Sequence, residues 1–170
     1  RKNIEATMAI AATTGASFIR VNVHIGAMLT DQGLIEGQAA QTLRLREQLG
    51  CDIAILADVG VKHASPFDEH WTLEQEAKDA WNRGLADALI VSGNGTGAPT
   101  KVDDLERVKL AVPEAPLIVG SGVRNETVSD YELASSCIVG TAFKRDGLVE
   151  NEVQLERVRE LCHSSEAGMS

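Results

Sequence analysis

The sequence has no run of basic residues longer than the pair Lys144-Arg145, and its net charge is −9 with a pI near 4.9. Binding a nucleic-acid backbone needs Lys and Arg gathered on one face, so the composition argues against a nucleic-acid partner. An acidic chain can still hold a locally positive pocket. Cysteine is also scarce: Cys51, Cys137 and Cys162 are odd in number, with no CxxC pair and no His at zinc-ligand spacing. They read as reduced thiols of a cytoplasmic protein, with neither a disulfide framework nor a metal site expected. No stretch of roughly 18 apolar residues would span a bilayer, so no transmembrane segment is expected, and no signal peptide is recognisable. An initiator Met is missing too. Arg1 opens directly onto a helical pattern, as in part of a longer chain.

What is present is an alternation. Asn3 can cap a helix to about Thr14, and Phe18 to Val23 follows as a β-branched strand. A long loop carrying Thr30-Asp31-Gln32-Gly33 leads to a second helix, about 37–49. Ile53 to Ala57 is a short continuous apolar run, the pattern of a strand buried on both faces. Thr72-Leu73-Glu74-Gln75 has capping-box form and opens a helix to Arg83. Ala88 to Val91 is another buried strand, followed by Ser92-Gly93-Asn94-Gly95-Thr96-Gly97 and a helix from Asp103. Leu117 to Val119 breaks at Gly120-Ser121-Gly122, and Cys137 to Val139 breaks at Gly140-Thr141, with one helix-length segment between them. A last helix spans about 152–161, and 163–170 is expected to be a flexible tail.

Five strand–loop–helix units at these intervals predict an α/β fold with a parallel sheet and helices outside it. Glycine and polar residues follow the strands, whereas the helix-to-strand connections are short, which separates an active face from a stability face as in a (β/α)8 TIM barrel. The expected architecture is one partial barrel domain over residues 1–170, holding the C-terminal five units. The first three strands would be missing, and a homo-oligomer or the missing N-terminal segment would cover the two exposed sheet edges.

Barrels commonly hold phosphate after their last two strands, so Gly120, Ser121, Gly122, Gly140 and Thr141 are candidate phosphate-binding residues, helped by the positive ends of the helices that follow. Lys144, beside Arg145, can neutralise the anion. Ser92, Gly93, Asn94 and Thr96 are candidates for the rest of the pocket. That loop lacks the Gly-Lys-Ser/Thr ending of a P-loop, so nucleotide hydrolysis has no support. Asp58, Lys62 and His63 form a possible acid–base set after the second strand, and Asn22 and His24 end the first strand with alternate residues facing one way. Each feature also has a plain origin: tight turns need glycine without any ligand, and long polar loops contain charges.

Together several segments resemble the photosystem I biogenesis protein (BtpA/SgcQ) family. They are Phe18 to Val23 with Gly26-Ala27 and Thr30 to Gly37, Ala57-Asp58-Val59 with Val61 to Ala64, and Ala86 to Gly93 with Thr96-Gly97. Val119 to Val123 and Ile138 to Gly147 complete the set. The resemblance implies a barrel similar to the ribulose-phosphate-binding barrels, with full members longer at the N-terminus, and places these strands as the fourth to the eighth. It also implies a role in building photosystem I. His24 and Gly60 depart from the family's pattern. Two classes of function follow: binding of a small phosphorylated metabolite, with isomerase or aldolase chemistry and no cofactor, or a non-catalytic assembly factor that contacts another protein.

Overall fold

The computed structural model describes residues 4–30, 33–61, 64–66, 70–93 and 98–168. Five strands form a parallel sheet: β1 (Phe18–Val21), β4 (Ala54–Val59), β6 (Ala88–Val91), β7 (Leu117–Val119) and β8 (Ser136–Cys137), adjacent in that order. Helices α1 (Ile4–Thr14), α2 (Ala39–Gln48), α3 (Leu73–Asn82), α4 (Val102–Ala111) and α5 (Leu155–Gly168) alternate with them. The partial barrel expected from the alternation is therefore present and open, with β1 and β8 as its edges.

The pleat assigns each strand residue to one of two faces. Ala57, Val59, Leu89, Val91, Leu117 and Val119 share the main core with Ala77, Ala80, Leu105, Val108 and Leu161 from the helices. Alternate residues Ala88, Ile90 and Ile118 pack with Leu56 and Ile138 in a smaller cluster on the opposite, barrel-interior face. Register places Arg20 opposite Leu56, Leu56 opposite Ala88, Asp58 opposite Ile90 and Ile90 opposite Ile118, so Arg20 and Asp58 belong to that inner face. Phe18 also lies on it and is 56% exposed, since no strand lies beyond β1 to cover it.

Local signals explain most boundaries. Thr72 caps α3 from extended backbone, its Oγ1 accepting the Gln75 N–H at 3.2 Å, as the capping box predicts. At the bottom of the sheet, Asp87 Oδ2 accepts from Ile55 N at 2.7 Å and from Arg46 Nη1 at 2.8 Å, tying β4 to the end of α2.

Three features differ from the sequence expectation. The loop after β1 contains a hairpin, β2 (Ala27–Thr30) and β3 (Gly33–Glu36), which joins β5 (Ala64–Pro66) in a small antiparallel sheet. Between β7 and β8 there is no α-helix, only one 3-10 turn at Val128–Tyr131. Helix α5 runs to Gly168, past the end expected near Leu161. No helix among the described residues is long and apolar enough to cross a membrane.

Candidate functional site

A cleft of about 390 Å³ opens at the C-terminal ends of the five parallel strands, a size within the range of small-molecule pockets. It is lined from β1 by Arg20 and Asn22, from β4 by Asp58 and the turn after it, from β6 by Ser92, and from the last two strands by Gly120, Ser121, Gly122, Gly140 and Thr141. Inward-facing strand ends converge here because alternation puts Arg20, Asp58, Ser92 and Gly120 on one side of the sheet.

Arg20 is the residue that the sequence reading passed over. Its Nε lies 3.0 Å from Asp58 Oδ1 and 3.3 Å from Oδ2, and its Nη2 lies 3.1 Å from Oδ2, a two-point grip on a carboxylate that is 6% exposed. The available signal was a charge inside an apolar strand, at the same parity as Asn22. Its partner lies 38 residues away and is found only through the β1–β4 pairing.

The glycine turns divide into two kinds. A Cβ on Gly122 would overlap Pro99 Cα and sit 2.6 Å from Ala98 O, and φ is +75°. A Cβ on Gly120 would strike Ser92 Oγ. Both glycines are thus required by neighbouring protein atoms before any ligand is considered. At Gly140 a Cβ would meet nothing within 4 Å. Ser121, expected to offer its hydroxyl to an anion, donates instead to Ala98 O at 2.9 Å and accepts the Gly93 N–H at 3.0 Å. Its one proton is engaged, so it would have to break that bond to donate to a ligand. Thr100 Oγ1 donates to Ser121 O at 3.1 Å and the Tyr131 hydroxyl donates to Thr100 O at 3.1 Å, which clamps the loop after β6 to the turn after β7. Ser92 Oγ is buried with no hydrogen-bond partner among the described residues. Because an unmet buried hydroxyl is costly, Ser92 is the better hydroxyl for a ligand.

Several expected contributors lie elsewhere. After Asn22 the chain leaves the strand, and His24 O and Gly26 O accept from Ala39 N and Gly37 N. His24 is 2% exposed, does not line the cleft, and its Nε2–H donates to Gly84 O at 2.8 Å. Burial pushes its imidazole below the ordinary value, and the bond to Gly84 opposes that. It behaves as a neutral packed residue, not a base at the mouth. Lys144 does not line the cleft, because its segment pairs antiparallel with Val153; Arg145 pairs with Glu152 at 2.9 Å. Gly93 is also outside the lining. The expected helix dipoles fail as well, since only 3-10 turns, Val128–Tyr131 and Thr141–Phe143, follow the two glycine turns. Lys62, His63, Asn94 and Thr96 lie outside the described residues. Among the described residues no group of three or more His, Cys, Asp or Glu is placed to hold a metal ion. A second groove of about 760 Å³ lies beyond Thr141 against α5, lined by mixed charges that include Arg124, Glu126, Arg157 and Glu160.

Glu76 was not anticipated either. On α3 and 5% exposed, it accepts the N–H of Gly60, a cleft residue, at 3.0 Å. Burial pushes its carboxyl above the ordinary 4.5; the Gly60 bond opposes this, and the charge of Asp58 adds to it. A raised folded-state value means that the wild type loses stability as pH rises through it, by at most about 1.4 kcal/mol per pH unit. Glu76→Gln keeps an acceptor for Gly60 without a buried charge. It is expected to melt higher than wild type at pH 8, with the difference vanishing as pH falls toward 4.5. A Gln variant that melts lower at pH 8 would contradict this.

The profile of the BtpA family matches residues 1–167. An uncharacterized protein of Thermococcus kodakarensis is 48% identical over 157 residues, covering 92% of this chain and 59% of that protein. The "Photosystem I biogenesis protein BtpA" of Synechocystis is 41% identical over 170 residues, covering 99% of this chain and 59% of the relative. An uncharacterized mitochondrial protein of Caenorhabditis elegans is 33% identical over 153 residues, covering 89% of this chain and 54% of that protein. The chain thus spans about three fifths of the length of the relatives it matches. Among solved structures, one described as "Native KDPGal structure" superposes with a TM-score of 0.58 at 13% identity, covering 96% of this chain and 63% of that one. At that identity the likeness concerns the fold alone.

Proposed function

This chain belongs to the BtpA family, and from that premise we propose that its strand-end cleft binds a small phosphorylated metabolite, in a setting suited to isomerase- or aldolase-type chemistry. The observation that carries this is the meeting, in one cleft, of the Arg20–Asp58 pair, whose carboxylate is buried and whose guanidinium is partly exposed, and the turns after the last two strands. Gly140 and Thr141 would approach the phosphate through backbone N–H groups, and the unpartnered hydroxyl of Ser92 would add a donor. Asp58, Arg20 and Asn22 would face the rest of the ligand across the mouth.

A thermal-shift panel of phosphorylated metabolites tests this. A ligand at about a hundred times its Kd adds about 2.7 kcal/mol, or roughly 5–10 °C for a chain of this size. Gly140→Ala, which has open space around the new methyl, is expected to leave the unliganded melting temperature unchanged and abolish the shift. No shift with any phosphate ester would overturn the proposal.

A second reading is assembly by protein contact, as the name of the Synechocystis relative suggests for that protein. It is favoured by Leu148, Val149, Val153 and Leu155, each more than half exposed in one short segment entering α5, since clustered exposed apolar groups mark contact surfaces. Failure of the phosphate panel would leave this reading standing.

A further inference from the structure

Among the described residues that line the cleft, Arg20 and Asp58 are the charged ones. Their exposures are unequal: 36% for the arginine side chain and 6% for the carboxylate. A ligand entering the cleft therefore meets the guanidinium, with the carboxylate behind it. The bonds to Asp58 come from Nε and Nη2, one edge of the planar group. Nη1 makes no hydrogen bond among the described residues. A guanidinium carries five N–H donors in a fixed fork, so holding one edge on a buried carboxylate orients the other edge without satisfying it.

Resting on the phosphate reading above, we infer that this outer edge takes a carboxylate, and that the ligand is a phosphorylated carboxylic acid, not a neutral phosphosugar. The fork matches the two oxygens of a carboxylate in a bidentate bond. Asp58 already neutralises the guanidinium, so any anion here adds net negative charge: a carboxylate adds one, whereas a second phosphate would bring nearly two beside a buried carboxylate. Arg20 on β1 and Gly140 with Thr141 after β8 stand at opposite edges of the sheet and line the same cleft, so the ligand carries its carboxylate and its phosphate at opposite ends.

Two ligands of equal length isolate the carboxylate: 6-phosphogluconate and glucitol 6-phosphate differ in having a carboxylate or a CH2OH at the far end. Calorimetric titration of the full chain at about 0.1 M salt is expected to give at least about tenfold tighter binding of 6-phosphogluconate. Arg20→Lys keeps a positive charge on Asp58 but removes the fork. It is expected to bring the ratio near one while glucitol 6-phosphate affinity stays within about twofold. If that variant does not fold, the wild-type ratio decides by itself. Equal affinity of wild type for both ligands overturns the carboxylate assignment and leaves the phosphate reading intact. Gluconate binding as tightly as 6-phosphogluconate overturns the phosphate reading and leaves the Arg20 edge. No binding of either phosphorylated ligand overturns both.

Discussion

Gly122→Ala is expected to destabilise the chain by about 2–4 kcal/mol, against less than about 0.5 kcal/mol for Gly140→Ala. At position 122 a methyl group meets backbone atoms of Ala98 and Pro99 at φ +75°. Those atoms cannot swing aside as a flexible side chain would, because the Ser121 bonds to Gly93 and Ala98 and the Thr100 bond to Ser121 hold the two loops together. At 140 the methyl enters open space. Urea unfolding of the two variants measures the difference. A Gly122→Ala protein within 0.5 kcal/mol of wild type would show that the loops can part. Equal losses at both sites would make Gly140 a requirement of the fold and remove the reason to assign it to a ligand.

Arg20→Met is expected to cost roughly 3 kcal/mol, since it removes the two-point guanidinium grip on the buried Asp58 carboxylate. The figure belongs at the lower end of the range for broken buried pairs, because the cleft admits water and Arg20 itself is partly exposed. Replacing both residues, Arg20→Met with Asp58→Leu, removes the buried carboxylate together with the guanidinium and is expected to recover most of the loss, giving a coupling energy of about 2 kcal/mol or more. Additive losses in that cycle would mean that the pair is a surface contact with little consequence. The cycle reports on stability, so it stands apart from the ligand comparisons.

Much of the fold was legible because its signals are local. The apolar runs Ala88 to Val91 and Leu117 to Val119 became strands buried on both faces, and Ile53 to Ala57 led into β4, where Ala54 and Leu56 are half-buried. The hydroxyl of Thr72 and the glycines behind the helices marked boundaries. The hairpin Ala27–Thr30 with Gly33–Glu36 was missed because each strand is four residues long and β3 is largely exposed, so neither carries a clear alternation. The helix expected after Gly122 did not form. Thr127 Oγ1 accepts from Arg124 N, and Thr127 N and Val128 N bond Arg124 O, which closes the chain into tight turns and competes with a helical ladder.

For the site, the sequence by itself determined which residues stand at strand ends: Asn22, Asp58, Ser92, Gly120, Ser121, Gly122, Gly140 and Thr141 all line one cleft. That follows from period-two alternation and from glycine at the breaks, both short-range properties of the chain. Only the tertiary structure decided what each group is free to do. Parallel pairing of β1 with β4 brought Arg20 to Asp58. Contact between two loops engaged Ser121, Ser92 has no hydrogen-bond partner among the described residues, and the turn after Asn22 carried His24 away to Gly84. Free donors and stranded charges depend on neighbours tens of residues distant, and packing alone fixes those distances.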